Sequence, residues 1–148
     1  MPTLTLKLVT PERSVLEIEA LAVTLPIADG EVTILPEHEP YIGALKSGEI
    51  IIHHANETTE NLAVSGGFVE FDSNVLSILA DTAERADEID MERAEVAKAR
   101  AEAIKQEKVT MGEEEYARVA AALEKEMTRI KVARKHHGRA VLHVSDGE

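Results

Sequence analysis

The sequence contains no cysteine and no tryptophan, and aromatic residues make up only 3% of its 148 residues. Without cysteine, the chain forms no disulfide, no thiolate metal site and no cysteine nucleophile. No apolar run approaches the roughly 20 residues that a membrane-spanning helix needs, so we expect no direct membrane insertion. The first ten residues, MPTLTLKLVT, lack the basic and apolar regions of a signal peptide, which favours an unexported chain.

Negative charge dominates the composition, with a formal net charge of -12. Residues 1–80 carry 12 acidic and 3 basic side chains, whereas residues 125–139 carry a net charge of +5. An acidic body with a basic C-terminal stretch suits docking between protein surfaces. Nucleic-acid binding is not expected, because Tyr116 is the only aromatic residue after Phe71 and bases stack on aromatic side chains.

Turn-forming residues are concentrated in the first half of the chain. All five prolines and five of the eight glycines precede residue 68. Between the turns lie short runs of alternating polarity, such as Leu4, Leu6 and Leu8, which have the period of a half-buried strand. We therefore predict an antiparallel β-sandwich or barrel over residues 1–82.

The composition changes to Ala, Glu, Lys and Arg from residue 83. Helical spacing places apolar residues on one face of each of two predicted helices: Ala94, Ala97, Ala101 and Ile104 in the first, and Tyr116, Val119, Ala120, Leu123, Met127 and Ile130 in the second. Gly138 is a predicted stop for the second helix. We expect an antiparallel helical hairpin over residues 83–138 and a flexible tail over 139–148.

The sequence shows no catalytic or metal-binding constellation. Most carboxylates of the first half fall in turns such as ADGE and PEHE, which indicates a solvated surface. Neighbouring strand residues point to opposite faces, so His53 and His54 do not chelate one ion together, and His136 and His137 have poor geometry at a helix end. The SGGF segment at residues 65–68 lacks the first glycine of a nucleophile elbow, and we interpret it as a strand bend.

Four segments together resemble the epsilon subunits of bacterial F-type ATP synthases: LPEHEP, SGGFVEF, LADTAERADEIDMERA and ALEKEMTRIKVA. The resemblance extends over residues 3–134, and the junction segment LADTAERA is its most specific part. It implies a sandwich of about ten strands that binds the gamma subunit and the ring of c subunits. It also implies a non-catalytic rotor subunit, peripheral on the cytoplasmic face of the bacterial inner membrane, that couples c-ring rotation to ATP synthesis.

The resemblance further implies a regulatory role for the two helices. In the family, an extended hairpin reaches along gamma, contacts an acidic segment of the beta subunit beside alpha, and inhibits ATP hydrolysis. The basic stretch of this chain has the sign of charge for that contact. The residues expected to contact the beta subunit are Arg129, Lys131, Arg134 and Lys135.

The segment IDMERA has two interpretations. Asp90 is suited to cap the first helix, with Glu92 near the helix N-terminus, and a cap contributes about 1 kcal/mol. Some family members instead bind regulatory ATP through a similar motif together with arginines of both helices. By that resemblance, the expected ATP-binding residues are Glu84, Ile89, Asp90, Arg93, Ala94, Arg100, Lys125 and Arg129. Lys125 stands where an arginine is expected, and lysine lacks the bidentate fork suited to phosphate.

The segment GEVTILPEHEP departs from the family pattern, since Thr33 and Glu37 replace glycines and Glu39 replaces a small residue. A residue other than glycine is strained at positive φ, so we expect altered turn geometry. Glu31 and His38 occupy positions that lie near the c-ring in the family. They are either c-ring contacts or ordinary loop surface.

The sequence is compatible with two other function classes. A carbohydrate-active or carbohydrate-binding β-sandwich would explain the many carboxylates, but it needs two of them roughly 5 to 10 Å apart in one cleft. A free-standing helical adaptor on a β scaffold is the other alternative, and copurification with gamma would exclude it.

Overall fold

The computed structural model describes residues 1–106 and 112–145, with side chains up to residue 136 in the last helix. The chain divides into two compact units, Met1–Arg85 and Ala86–Glu148. Strands build the first unit and helices the second. The predicted fold class, a β-sandwich followed by two helices, is confirmed.

Eight strands form the first unit: β1 Leu4–Val9, β2 Ser14–Ala20, β3 Ala22–Ile27, β4 Gly30–Ile34, β5 Tyr41–His53, β6 Thr59–Asp72, β7 Val75–Ala80 and β8 Ala83–Arg85. The expectation of about ten strands is corrected because β5 and β6 are long, with 13 and 14 residues. The segments NLAV and SGGFVEF, for example, lie on the single strand β6.

The strands form one sheet in the order β2-β1-β7-β6-β5-β3-β4, and β8 also pairs with β6. Leu4, Leu6 and Leu8 of β1 are fully buried, which confirms the alternation predicted for that strand. They belong to the same apolar cluster as Ile50 and Ile52 near the end of β5. The distant parts of the sheet therefore face each other across one core, as in a sandwich.

One strand pair departs from the predicted antiparallel arrangement. β1 pairs with β2 in antiparallel register but with β7 in parallel register, from Thr5 opposite Val75 to Val9 opposite Leu79. Alternation along a strand identifies its buried face but carries no information on the direction of its partner. The long connection from β1 to β7 permits the parallel pair, which a short hairpin turn does not.

The paired glycines of β6 form the predicted strand bend. Gly66 and Gly67 have φ angles of 90° and 137°. On one side of them the buried side chains include Leu62 and Val64, and on the other side Val69 and Phe71. The inward positions thus change from even to odd numbers at the bend, because the irregular backbone interrupts the strict period of two.

The second unit begins with a 3-10 turn, Ala86–Glu88, followed by α1 Met91–Gln106 and α2 Glu113–Ser145. The two long helices pack against each other. Of the predicted apolar face of α1, Ala94 and Ala101 are buried, whereas Ile104 is exposed. Alanine has a small side chain, so the helix backbones can approach closely at these two positions.

The predicted apolar stripe of α2 is buried only in part. Ile130 is buried, Met127 is exposed, and Val132 and Ala133 are buried although the stripe did not include them. The 3.6-residue period identifies an apolar side of the helix but not which portion of that side is covered.

The second helix continues beyond its predicted end at Gly138. It extends to Ser145, so the expectation of a flexible tail from residue 139 is wrong for residues 139–145. A single glycine inside a helix costs only about 1 kcal/mol relative to alanine and does not by itself end it. The remainder of the expected tail, residues 146–148, lies outside the described residues.

Candidate functional site

The IDMERA segment forms the first turn of α1. The Asp90 carboxylate accepts a hydrogen bond from the backbone N–H of Arg93 at 3.1 Å, and the Asp90 carbonyl accepts one from the N–H of Ala94 at 3.0 Å. This is the geometry of a helix N-cap, so the capping interpretation of Asp90 is confirmed. Ile89 and Ala94 are buried and hold the turn in place.

The arginines of α1 lie side by side. Arg93 and Arg100 are separated by two helical turns, and both line one hollow of about 430 Å³ on that helix. Glu92, Val96 and Ala97 complete its lining. Two guanidinium groups at one concave surface favour an anion, which they can bind bidentately.

The other expected ATP-binding residues do not line this hollow. Lys125 and Arg129 lie on α2, where Arg129 donates a hydrogen bond to Glu126 at 2.8 Å; both side chains of that pair are mostly buried. Glu84 belongs to β8, opposite Ala63 of β6, in the first unit. The structure thus brings together Arg93 and Arg100, while the ATP-binding set as a whole stays a prediction.

The cations expected to contact the beta subunit lie along α2. Lys131, Arg134 and Lys135 are exposed. Arg134 reaches across to α1, where its guanidinium lies 3.4 Å from the Glu95 carboxylate. An exposed ion pair of this kind contributes little stability, so the guanidinium remains available to another carboxylate.

The loop between β4 and β5 carries one of the two residues expected at the c-ring. His38 is exposed, and its ring contacts the edge of Phe71 with 6.0 Å between centroids. Glu37 has a φ angle of 65°, and its N–H donates a hydrogen bond to the Asn74 side chain at 3.0 Å. The expected strain is therefore present at Glu37, but the expectation was wrong for Thr33, which lies opposite Thr24 in the β3–β4 pair without a positive φ angle. Glu31 is exposed on β4.

An exposed apolar surface on the sheet was not identified from the sequence. Ala44, Phe68 and Leu79 are direct cross-strand neighbours on β5, β6 and β7, and Ile42 lies two residues from Ala44 on the same face. Ile42, Phe68 and Leu79 are 79%, 66% and 59% exposed. We call Ile42, Ala44, Phe68 and Leu79 the outer apolar patch. The sequence does contain a signal for this patch. Val69 points inward, so the alternation along a strand directs its neighbour Phe68 to solvent.

Within the part of the chain whose side chains are described, His54 belongs to an ion-pair cluster and not to a metal site. His54 lies 3.3 Å from Glu60, which also lies 3.2 Å from Arg85, so His54 belongs to a surface ion-pair cluster. Among the described residues, no group of three or more metal-ligating side chains could hold an ion. In the same part of the chain, no helix is both long enough and apolar enough to cross a membrane.

Both units of the chain match models of a known protein family. The family model of the ATP synthase delta/epsilon chain β-sandwich domain matches residues 3–86, and that of its long α-helix domain matches residues 87–134. The ATP synthase epsilon chain of Desulforamulus reducens is 46% identical over 129 residues, 86% of this chain and 95% of that protein. The corresponding chain of Moorella thermoacetica is 42% identical over 133 residues, which are 90% of this chain and 98% of that protein.

A solved structure has the same fold. It is a chain of the Euglena gracilis mitochondrial ATP synthase, with a TM-score of 0.74 and 24% identity over 86% of this chain and 79% of that one. The comparisons do not favour the carbohydrate-active or carbohydrate-binding alternative, because both units match the same ATP synthase family.

Proposed function

Since this chain belongs to the family of ATP synthase delta/epsilon chains, we propose that its β unit binds the gamma subunit through the outer apolar patch. A chain of this family is a central-stalk subunit of ATP synthase, and its role in the rotor follows from that membership. It carries no catalytic group of its own in this proposal. Binding to gamma and to the c-ring holds it on the cytoplasmic face of the bacterial inner membrane.

The exposure of Phe68 is the observation that carries the proposal. An aromatic side chain that is 66% exposed among apolar neighbours on three adjacent strands is costly to leave in water. Clustered exposed apolar residues on a folded domain are typical of protein-binding surfaces, and an aromatic residue near the centre is typical of an interface hot spot.

Binding of the full chain to gamma tests this assignment. Phe68→Asp is expected to weaken the complex by about 30-fold or more, since a hot-spot residue contributes about 2 kcal/mol or more. Val96→Asp is the matched control, because Val96 is an apolar residue of α1 with a similar exposed fraction of 56%. Loss of binding in Val96→Asp but not in Phe68→Asp would contradict the assignment.

The c-ring is the second proposed partner of the β unit. Glu31 and His38 are exposed, and both side chains are polar enough to contact the loops of a membrane ring. The absence of native cysteine makes the test direct, because Glu31→Cys and His38→Cys each introduce a single cross-linking site. Cross-links to c from these two positions, and none from Glu17→Cys on β2, are the expected result.

The helical unit is the proposed regulator of ATP hydrolysis through contact with the beta subunit beside alpha. Exposed cations on one side of α2 favour an acidic partner surface, which agrees with the proposal. Replacing either Lys131 or Lys135 singly by glutamine in the assembled enzyme is expected to raise ATP hydrolysis. Lys7→Gln on β1 controls for the change in net charge, and equal rates in all three variants would refute the contact.

Regulatory ATP binding to the helical unit is a further part of the proposal. The hollow with Arg93 and Arg100 supports it, since two guanidinium groups match the charge of a triphosphate. Calorimetric titration of ATP into the full chain should give saturable heat that Arg93→Gln and Arg100→Gln each reduce at least about tenfold in affinity.

The titration needs a variant that separates binding from capping. Asp90→Asn retains a good helix cap and removes only the charge, whereas Asp90→Ala removes both. Arg118→Gln on α2 serves as the control for loss of one guanidinium. If no heat develops in the wild-type chain, Asp90 is a cap alone and the regulatory ATP is absent.

A further inference from the structure

A groove of about 620 Å³ runs between α1 and α2, and no part of the proposed function uses it as a ligand site. Its floor consists of Ala120, Leu123, Met127 and Ile130. These residues follow one another at spacings of three and four, so they form a row along α2. Eleven helical residues span about 16 Å, which is the length of the floor.

The floor is narrow and partly exposed. Met127, in its middle, is 51% exposed. The row is only one side chain wide, whereas a helix that packs on a core presents an apolar stripe about 100° wide. An extended alkyl chain matches this width better than the apolar face of another helix.

The rim of the groove is basic. Lys98 and Lys105 line it from α1, and Lys131 and Arg134 line it from α2, against one carboxylate, that of Glu124. The methylene stems of such side chains can cover apolar surface while their charged ends remain in water. The floor of the groove is therefore apolar, and its rim is cationic.

Three of the cations lie toward one end of the groove. Lys98 is 3.9 Å from Glu102, and Arg134 is 3.4 Å from Glu95; both pairs are exposed, and such pairs rearrange at little cost. No described residue forms an ion pair with Lys131. This end can therefore receive an external anion.

We propose that the groove binds a linear anionic amphiphile with a single acidic headgroup. Its alkyl chain lies along the floor over Met127 and Leu123. Its headgroup lies between Lys98, Lys131 and Arg134. The volume falls within the range of about 300 to 1,000 Å³ typical of small-molecule sites, which are mostly apolar with few polar groups. Such a ligand bridges the two helices and stabilises the folded hairpin.

Decanoate, below its micellar concentration, is the probe for this site. The full chain has four methionines, and carbon-13 labelling of their methyl groups lets NMR follow each residue. We expect a saturable shift of the Met127 methyl signal, while the signals of Met1 and Met91 remain unchanged. Decyl maltoside, an uncharged amphiphile with an alkyl chain only one carbon longer, is expected to bind at least about tenfold more weakly.

Charge variants test the position of the headgroup. Lys131→Gln should weaken decanoate binding about fivefold, whereas Lys46→Gln, an exposed lysine of β5, should leave it unchanged. Met127→Glu should abolish binding, and circular dichroism of this variant is the check that the exposed substitution leaves the helices folded.

Three results would overturn the proposal. Equal, unsaturated shifts of all the methyl signals would mean nonspecific association. Equal affinity of Lys131→Gln and Lys46→Gln would remove the headgroup assignment. A saturable Met127 shift with an acidic amphipathic peptide but not with decanoate would make the groove a helix-docking surface instead. None of these results depends on gamma or ATP, so they leave the proposed function untouched.

Discussion

Replacing Gly67 by alanine should be among the most damaging single substitutions in the β unit. The added Cβ would lie 2.0 Å from the carbonyl oxygen of Leu79, a separation that requires the β6 and β7 backbones to move apart. The φ angle of Gly67, 137°, is also one that alanine rarely adopts. Two independent costs therefore act at one position.

The magnitude follows from these two costs. Backbone strain at a glycine-only conformation costs about 1 to 3 kcal/mol, and forcing an extra methyl group into a filled site costs about 1 to 3 kcal/mol more. We expect Gly67→Ala to lower the free energy of unfolding by about 4 kcal/mol. That is a large part of the roughly 5 to 15 kcal/mol that stabilises a typical domain.

Gly30→Ala is the matched control. Gly30 has a similar φ angle of 131°, but a Cβ there would meet no atom within 4 Å, so only the strain remains. Urea unfolding should be followed through backbone amide NMR signals of β6 and β7, because the helical unit dominates circular dichroism. The reasoning is refuted if both variants lose the same stability, since the close approach to Leu79 would then cost nothing.

Three smaller substitutions have clear expectations. Glu37→Gly removes a non-glycine residue from φ 65° and should raise the thermal midpoint by the equivalent of about 1 kcal/mol; a lower midpoint would show that the turn is unstrained. Asp90→Ala should speed hydrogen exchange of the Arg93 amide about fivefold, with Asp90→Asn close to wild type. Gly48→Ala places a Cβ 2.7 Å from the Cβ of Pro26 and should cost about 1 to 3 kcal/mol in urea unfolding; unchanged stability would mean that the proline ring moves aside.

The sequence is sufficient to predict the strands because the sheet buries one face. Leu4, Leu6 and Leu8 show the pattern at its simplest, since all three are fully buried and the polar residues Thr5 and Lys7 separate them. Strand order and direction are not local properties, so the parallel pairing of β1 with β7 lies beyond such a pattern. The continuity of β6 is also hidden from such a pattern, because its inward positions change parity at Gly66 and Gly67.

The candidate sites differ in how far local sequence determines them. The cap at Asp90 depends on residues three positions apart, and it was predictable. The outer apolar patch depends on Phe68 and Leu79 lying side by side on neighbouring strands, which only the register fixes. The groove in the helical unit depends on how much of the α2 stripe is covered, and the exposure of Met127 is decided by packing.

Under the two proposals, the outer apolar patch and the groove between α1 and α2 suit different partners, because the patch offers apolar contact and the groove adds cations to its apolar floor. The patch lies within residues 1–80, whose composition is strongly acidic. The patch itself is uncharged and offers an apolar contact surface. The helical unit instead presents cations beside its exposed apolar row. Apolar burial does not rely on attraction between charges, whereas exposed charges more than about 10 Å apart are largely screened at 0.1 M ionic strength. Under the proposed function, the sheet therefore holds the chain in the rotor through apolar contact, while the helices bind and release their partners reversibly.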